Sequence, residues 1–418
     1  MRCGRAGAVR GGAGVRAVDV LVVGAGPAGL AAAARLAAAG VRSVEVLERE
    51  QHAGGVARHC AHGGYGTRLH PLTGPEYAHL LATATERAGA VVRTGVTALD
   101  WAGPLALHTV GPHGQETIGA RAVVLATGAR ERPRAARLVP GTRPAGVYTT
   151  GELQQAVHLY GQHIGTRAVV VGAEDVSYTA ADTVRTVGAS VVAMVTDLAR
   201  PQTTPARALD ARLRHAIPLL TGTTVTELVG HGRLSGVRVR HRDGRTATLP
   251  CDTVVFTGDF VPEHELARRG GLVLDTGTRG PAVDGSLHTS RPGVFAVGSV
   301  LHAVESAATA AREGAHAAGA VLGTLAGAEP PKGVPLIVDP PLRWIAPNRV
   351  TPADRLPYVL RTAAELSRPV LRVTQDGRPL HRQRLWSAVP NRTVTLTAGW
   401  AGRVDPKGGP VRVALAER

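Results

Sequence analysis

The fold of the N-terminal part is decided by the stretch 18-VDVLVVGAGPAGLAAAARLAAAGVRSVEVLER-49. The apolar run Val20 to Val23 is typical of a buried parallel strand. It leads into three glycines spaced G-x-G-x-x-G, and a helix over 28–39 is predicted to follow. A second strand then ends at an acidic side chain, in the order that a dinucleotide-binding βαβ unit requires. The glycines and the acid are Gly24, Gly26, Gly29 and Glu48.

A second stretch, 169-VVVGAEDVSYTAADTV-184, repeats this pattern with one change. Gly172 follows an apolar strand and Ser177 stands at the third small position, but Glu174 replaces the second glycine. Asp197 ends the next predicted strand, at about the spacing from Gly172 that Glu48 has from Gly24. A carboxylate at position 174 opposes a pyrophosphate, unless it turns to solvent. Binding of NAD(P) therefore stays open, and Asp197 would favour NAD over NADP.

Composition excludes several classes of protein. The 418 residues include 3 cysteines and no C-x-x-C, so neither a disulfide framework nor a metal site is expected, and a reducing, cytoplasmic compartment fits. No apolar run reaches membrane-spanning length. The net charge is +16, yet only Lys332 and Lys407 are lysines, the arginines are scattered and aromatic residues make up 3%. Specific nucleic-acid binding is therefore not expected.

The order of segments predicts an α/β protein with two Rossmann-like three-layer domains and a small β-rich module. Residues 1–16 read as a disordered lead-in. Segments 17–150 and 252–328 are assigned to the first domain and 151–251 to an inserted one, because strand-and-glycine patterns recur at 121–133 and 291–323. The C-terminal module, 329–418, opens with prolines and carries strand-like runs with an Asp376-Gly377 hairpin turn.

Four pieces together resemble the two-dinucleotide-binding-domain flavoproteins, the pyridine nucleotide-disulfide oxidoreductase superfamily. They are GAGPAG with Glu48, ATGARERP, the second glycine pattern, and VFAVGS followed by TAAREGAHAAG. GGVARHC and RPAGVYTTGELQ resemble, more narrowly, the FAD-carrying subunits of opine oxidases and hydrogen cyanide synthase. The resemblance covers about 17–325 and leaves out the C-terminal module.

The resemblance implies FAD at the first unit. It implies that the three glycines meet the pyrophosphate and that Glu48 meets the adenosine ribose. It also implies that the helix beginning near Glu305 points its N-terminus at the flavin. The further cofactor-binding positions that it implies are Arg49, Gly55, Arg58, Val96, Thr127, Gly128, Gly298, Ser299 and Ala307.

Two departures from the family pattern bear on chemistry. Ser299 stands where the family usually has aspartate, which removes charge assistance from a hydrogen bond to the ribityl chain. Cys60 stands alone where redox-active members carry a cysteine pair, so a redox-active disulfide is not expected. A small buried residue is the ordinary interpretation of Cys60, and a lone catalytic thiol the alternative. His59 is the other catalytic candidate, as a proton donor near flavin N5.

The leading hypothesis is an FAD-dependent oxidoreductase that moves hydride from a small amine or amino-acid-like donor through flavin N5. The electrons would pass to a carrier, a partner subunit or oxygen. One alternative is an NAD(P)H-dependent flavin reductase that favours NADH. Another is a non-catalytic flavoprotein subunit whose C-terminal module docks a partner. The sequence does not distinguish the substrate.

Overall fold

The computed structural model describes residues 15–67, 69–303 and 305–416. Most of the lead-in predicted over 1–16 lies outside the described residues. Arg16, however, already opens the first strand, because its guanidinium pairs with Glu45 at 2.6 Å and with Glu116 at 3.2 Å. That end of the prediction was wrong by one residue.

The first unit is built on a seven-stranded sheet whose central strands are parallel. From one edge its strands are Val91–Thr94, Val44–Glu48, Arg16–Val23, Gly114–Leu125, Ala106–Gly111 and Thr97–Gly103, with Val294–Ala296 beside the later half of Gly114–Leu125. The strand Val294–Ala296 comes from far along the chain, so the first unit is discontinuous in sequence.

Helices cover this sheet and hold its glycine turn. Pro27–Ala38 packs against both Gly74–Arg87 and Ala307–Leu325. The contact with Ala307–Leu325 is close because Gly314 lies against Ala28, where a Cβ would come within 1.9 Å of the Ala28 carbonyl oxygen. Shorter helical segments are Gly55–His59, Arg134–Arg137, Glu265–Arg269 and Ser299–His302, and a small ribbon pairs Tyr65–Gly66 with Pro71–Leu72.

The second unit contains a five-stranded parallel sheet and a three-stranded antiparallel sheet. The parallel strands, in spatial order, are Val147–Thr149, Thr253–Phe256, Arg167–Val171, Ser190–Val195 and Leu219–Leu220. Its helices are Thr150–Gln154, continued by the π-helical turn Gln155–Leu159, then Asp175–Thr186 and Pro205–Leu213. The antiparallel strands are Thr223–His231, Arg233–His241 and Thr246–Pro250.

Two short strands carry the chain between the units. Ala129–Glu131 leaves the first unit and Phe260–Pro262 leads back to it, and the two pair antiparallel. The α/β fold class with two parallel-sheet units is thus confirmed.

The C-terminal module is a β structure around the stacked rings of Tyr358 and Trp400. Its five-stranded sheet runs in the order Arg349–Val350, Val334–Val338, Val411–Ala416, Val370–Gln375 and Arg378–Arg384. Smaller sheets join Leu342–Ala346, Tyr358–Thr362 and Val394–Leu396, and Leu366–Ser367 with Ser387–Ala388. Asp376 and Gly377 both have positive φ and connect two of these strands, as the predicted hairpin turn requires.

No helix among the described residues is both long enough and apolar enough to cross a membrane.

Candidate functional site

In the first glycine turn, Gly24 to Gly29, two of the glycines are required by close packing and the third borders open space. A Cβ on Gly24 would lie 2.3 Å from the Ala126 carbonyl oxygen, and a Cβ on Gly29 would lie 2.0 Å from that of Gly24. A Cβ on Gly26 would meet no atom within 4 Å. The backbone at Gly26 is therefore accessible to a ligand that approaches closely.

The helix that starts at this turn is suited to an anion. Pro27–Ala38 begins after Gly26 and has no side-chain cap, and the first N–H groups of a helix lack partners within it. These donors and the positive end of the helix dipole favour phosphate.

Glu48 lies beside the turn, at the end of the neighbouring strand. Its carboxylate accepts the Ala25 N–H at 2.9 Å and the Glu50 N–H at 3.0 Å. Val96 is held at the same edge, because its N–H donates to the Glu48 carbonyl at 2.9 Å. Arg49, the next residue after Glu48, is exposed. The predicted adenosine-side residues thus lie together around Glu48.

The loop at Gly54 and Gly55 packs directly on the first glycine turn. The Gly54 N–H donates to the Ala25 carbonyl at 2.7 Å, and a Cβ on Gly55 would lie 2.9 Å from the Cα of Gly26. Arg58 follows in the same loop and donates to the His52 carbonyl at 3.2 Å. The loop therefore lies against the same turn that Glu48 contacts through the Ala25 N–H.

Thr127 and Gly128 follow the strand Gly114–Leu125, and the chain at Ala126 and Thr127 lies against Gly24. The Thr127 hydroxyl donates to the Glu263 carbonyl at 2.7 Å, and the Glu263 N–H donates to the Gly128 carbonyl at 2.8 Å. Gly128 has φ +78° and a Cβ there would meet no atom within 4 Å. Open space therefore also borders this strand end.

At Gly298, a segment from far along the chain packs against the helix Pro27–Ala38. It has φ +76°, and a Cβ there would lie 2.7 Å from the Ala28 Cβ. Its N–H donates to the buried Glu313 carboxylate at 3.0 Å, and that carboxylate also bonds His302 Nε2 at 2.9 Å. Ser299 opens a four-residue helix, whereas the long helix starts at Ala307, two residues later than predicted, with Ser306 as its cap.

His59 and Cys60 are both 6% exposed, and burial shifts the pKa of each towards the neutral form. Burial lowers the pKa of His59 to about 4, so the ring is neutral at pH 7, with one N–H donor and one acceptor nitrogen. Burial raises the pKa of Cys60, whose thiol donates to Gln154 Oε1 at 3.3 Å. A neutral, hydrogen-bonded thiol is a poor nucleophile.

The second glycine turn, Gly172 to Ser177, keeps its backbone geometry. Gly172 has φ +133° and a Cβ there would lie 2.1 Å from Thr257 Oγ1. The buried Ser177 hydroxyl lies 2.6 Å from Thr257 Oγ1 and accepts the Glu174 N–H at 3.0 Å. Asp197 is exposed just beyond Ser190–Val195.

The Glu174 side chain turns into the protein instead of towards solvent. Its carboxylate accepts a hydrogen bond from Asn391 Nδ2 at 3.1 Å and lies over Gly258, where a Cβ would come within 2.4 Å of Oε1. Burial raises the pKa of Glu174 to about 7, against the lowering effect of Arg137 and Arg361.

Other protein groups cover the rest of this turn. The Gln202 N–H donates to the Ala173 carbonyl at 2.8 Å, and Gln202 forms a parallel bridge with Glu174. The Thr203 hydroxyl bonds the carboxylate of Asp175, the first residue of the helix. Sequence reasoning missed Gln202, Thr203 and Asn391, because no local motif marks them.

The C-terminal module contacts both units. Arg361 pairs with Glu305 at 2.6 Å, with side chains 12% and 5% exposed, just before the helix Ala307–Leu325. Trp344 stacks on His302 with ring centroids 6.1 Å apart. On the second unit, the module adds the Asn391 contact to Glu174 and an exposed pair between Glu365 and Arg200 at 3.2 Å. Among the described residues, no cluster of three His, Cys, Asp or Glu could hold a metal ion.

Comparison with known proteins gives a family match over residues 18–314, to the pyridine nucleotide-disulphide oxidoreductases. The α subunit of sarcosine oxidase from Corynebacterium sp. strain P-1 is 30% identical over 79% of this chain, but the match spans only 35% of that relative. One of the opine oxidase subunits of Agrobacterium tumefaciens is 26% identical over 67% of this chain and 60% of its own length. Thioredoxin reductase of T. acidophilum shares the fold, with a TM-score of 0.63 and 24% identity over 73% of this chain and 98% of its own.

Proposed function

The chain belongs to the pyridine nucleotide-disulphide oxidoreductase family, whose flavoproteins bind FAD and use NAD(P)H, and from this premise we propose which reaction it performs. It is an FAD-dependent oxidoreductase that oxidises a small amine or amino-acid-like donor without a redox-active disulfide. The electrons pass to a carrier, a partner subunit or oxygen.

The first glycine turn supports the FAD assignment. FAD, when bound, supplies the hydride acceptor. The backbone at Gly26, which borders open space, and the uncapped helix start would hold its pyrophosphate, and the Glu48 carboxylate would meet the adenosine ribose. Gly55, Arg58, Thr127 and Gly128 would contact other parts of the same cofactor.

We base the choice of donor on the second glycine turn, which other groups of the protein cover. Glu174, Gln202 and Asn391 occupy the helix start at which a pyrophosphate binds in such units. A nicotinamide cofactor would have to displace these groups. A donor that reaches the flavin directly fits better, and the relatives from sarcosine and opine oxidases suggest a carbon next to an amine. Because these relatives are named as subunits, they also support a partner that takes the electrons.

The test is an anaerobic titration of the FAD-loaded protein, followed through the visible flavin band. We expect slow or no bleaching by NADH and NADPH, and bleaching by sarcosine, an opine or another secondary amino acid. Dithionite provides the control that the flavin is reducible. Rapid bleaching by NADH would falsify the proposal and identify a reductase instead. Stable FAD that neither NAD(P)H nor any amine reduces would favour the non-catalytic subunit.

A further inference from the structure

The C-terminal module carries half of the net charge of the chain in little more than a fifth of its length. Residues 329–418 contain 15 arginines and lysines against 7 aspartates and glutamates, an excess of +8, whereas the whole chain has +16. Positive charge is therefore concentrated in this module, and its arrangement on the module's surface indicates what the module can bind.

One face of the module's five-stranded sheet collects several of these arginines. Arg372 lies directly opposite Arg382 on the neighbouring strand, and Arg412 lies opposite Thr374, the second residue after Arg372. Directly opposed residues of an antiparallel pair share a face, as do alternate residues of one strand. The exposed side chains that this pattern places together are Arg372, Arg382, Arg384 and Arg412, and we call this surface the arginine face.

The arginine face has few acidic partners within the protein. Arg412 pairs with Asp339 at 2.5 Å, but among the described residues no carboxylate pairs with Arg372, Arg382 or Arg384. Like charges that lie directly opposite each other on neighbouring strands destabilise a sheet, so the Arg372–Arg382 pair lowers the stability of the isolated chain. An anionic partner would remove this repulsion.

An exposed tryptophan borders the arginine face. Leu385 packs against the core of the module, whereas its neighbours Arg384 and Trp386 are exposed, Trp386 by 86%. The Trp386 carbonyl accepts the Arg368 N–H at 3.0 Å, which holds the backbone at this position. Tryptophan and arginine are both enriched among the residues that dominate binding energy at protein interfaces. The composition of this surface therefore favours a protein partner.

The residues between the arginines also favour a protein over a nucleic acid. Surfaces that bind single-stranded nucleic acid carry aromatic side chains on which successive bases stack. None of the outward neighbours is aromatic; they are Ile337, Thr374, Pro379 and Ala414. A second copy of this chain is disfavoured, because two molecules with a charge of +16 repel each other.

We propose that the arginine face is the docking surface for an acidic protein, whose aspartate and glutamate side chains accept hydrogen bonds from the guanidinium groups. Arginine can donate two parallel hydrogen bonds to one carboxylate, which gives such a contact direction as well as attraction. The contact is expected to form quickly and to weaken as salt rises. The inference goes beyond the proposed function, since it does not depend on which donor reduces the flavin.

Fluorescence anisotropy of a labelled decaglutamate peptide tests the proposal with the FAD-loaded protein. The variant is R372Q/R382Q, which removes the opposed pair. The control is R35Q/R87Q, which removes the same charge from exposed positions on the helices Pro27–Ala38 and Gly74–Arg87. A labelled decathymidylate and vesicles that contain phosphatidylserine are measured in the same way, as probes for a nucleic acid and for an anionic membrane.

We expect the affinity for decaglutamate to fall at least about tenfold in R372Q/R382Q and to stay unchanged in R35Q/R87Q. The melting temperature of R372Q/R382Q should be no lower than that of wild type, because the repulsion between the two arginines is gone. An equal loss of affinity in both variants, or no binding of the peptide by wild type, would overturn the inference. Tighter binding of decathymidylate or of the vesicles, lost in R372Q/R382Q alone, would also overturn it and identify a phosphate-bearing partner instead.

Discussion

Gly26 and Gly29 differ in the space next to their α-carbons. Substitutions at these two positions can therefore distinguish a loss of cofactor binding from a loss of stability. Space is open at Gly26, whereas Gly29 faces the Gly24 carbonyl oxygen. G26V should therefore fold normally but lose at least about tenfold in affinity for FAD, since the new side chain fills the path of the pyrophosphate. Flavin content and FAD titration of the apoprotein measure this.

G29A is the matched variant for that experiment. Its single methyl group must push apart the first strand end and helix, and we expect the melting temperature of the apoprotein to fall by several degrees. If G26V lowered the apoprotein's melting temperature as much as G29A, the assignment of open space to ligand would be wrong.

Glu174 makes stability depend on pH in a defined direction. Its pKa is raised from 4.5 to about 7, so the folded state binds a proton more tightly than the unfolded state. The stabilisation by that proton is complete below about pH 4.5 and is lost as pH rises through about 7. E174Q should therefore exceed wild type in unfolding free energy by roughly 1–3 kcal/mol at pH 8 and by much less at pH 5.

Denaturant melts at the two pH values check this prediction. The control is E365Q, since Glu365 lies in an exposed ion pair with Arg200. A pH-independent difference between E174Q and wild type would mean that Glu174 is charged and solvated in the folded protein.

At the scale of elements, the C-terminal module closes the second glycine turn. Removing both side chains that meet there, in the double variant E174G/N391A, should expose the start of the helix Asp175–Thr186. Glycine is well tolerated at a helix N-cap. We expect the second-order rate of flavin reduction by NADH to rise at least about tenfold, as stopped-flow absorbance would show.

Glu365→Ala serves as the comparison, because it removes a contact between the same two regions without touching the turn. An increase in the NADH rate in this variant alone would point to general loosening of the module. No increase in E174G/N391A would mean that Gln202 and Thr203 suffice to cover the turn, or that the hydride route is lost.

The two glycine turns show which elements the sequence could predict. Gly29 packs on the Gly24 carbonyl oxygen within one strand–turn–helix unit, so the glycine spacing predicted this strand and helix closely. Asn391 meets Glu174 across 217 positions of the chain, and no local pattern marks such a contact. For the same reason the orientation of Glu174 was missed.

At the scale of the whole molecule, the charge of +16 should produce binding to nucleic acid that depends on salt but not on sequence. We expect duplex DNA to bind at about 20 mM salt and to be released by about 200 mM, because counterion release supplies the affinity. Fluorescence anisotropy with two unrelated duplexes measures this. Sequence discrimination, or retention at the higher salt, would contradict the absence of a specific nucleic-acid site.

The docked C-terminal module has a practical consequence, because it carries both lysines of the chain. Lys332 and Lys407 are exposed, and every other basic side chain of fixed charge is arginine. An amine-reactive dye therefore attaches its side-chain labels to this module alone, without any engineered cysteine. Energy transfer between that dye and bound flavin becomes a ruler for the distance from the module to the first unit, and it would register undocking in real time.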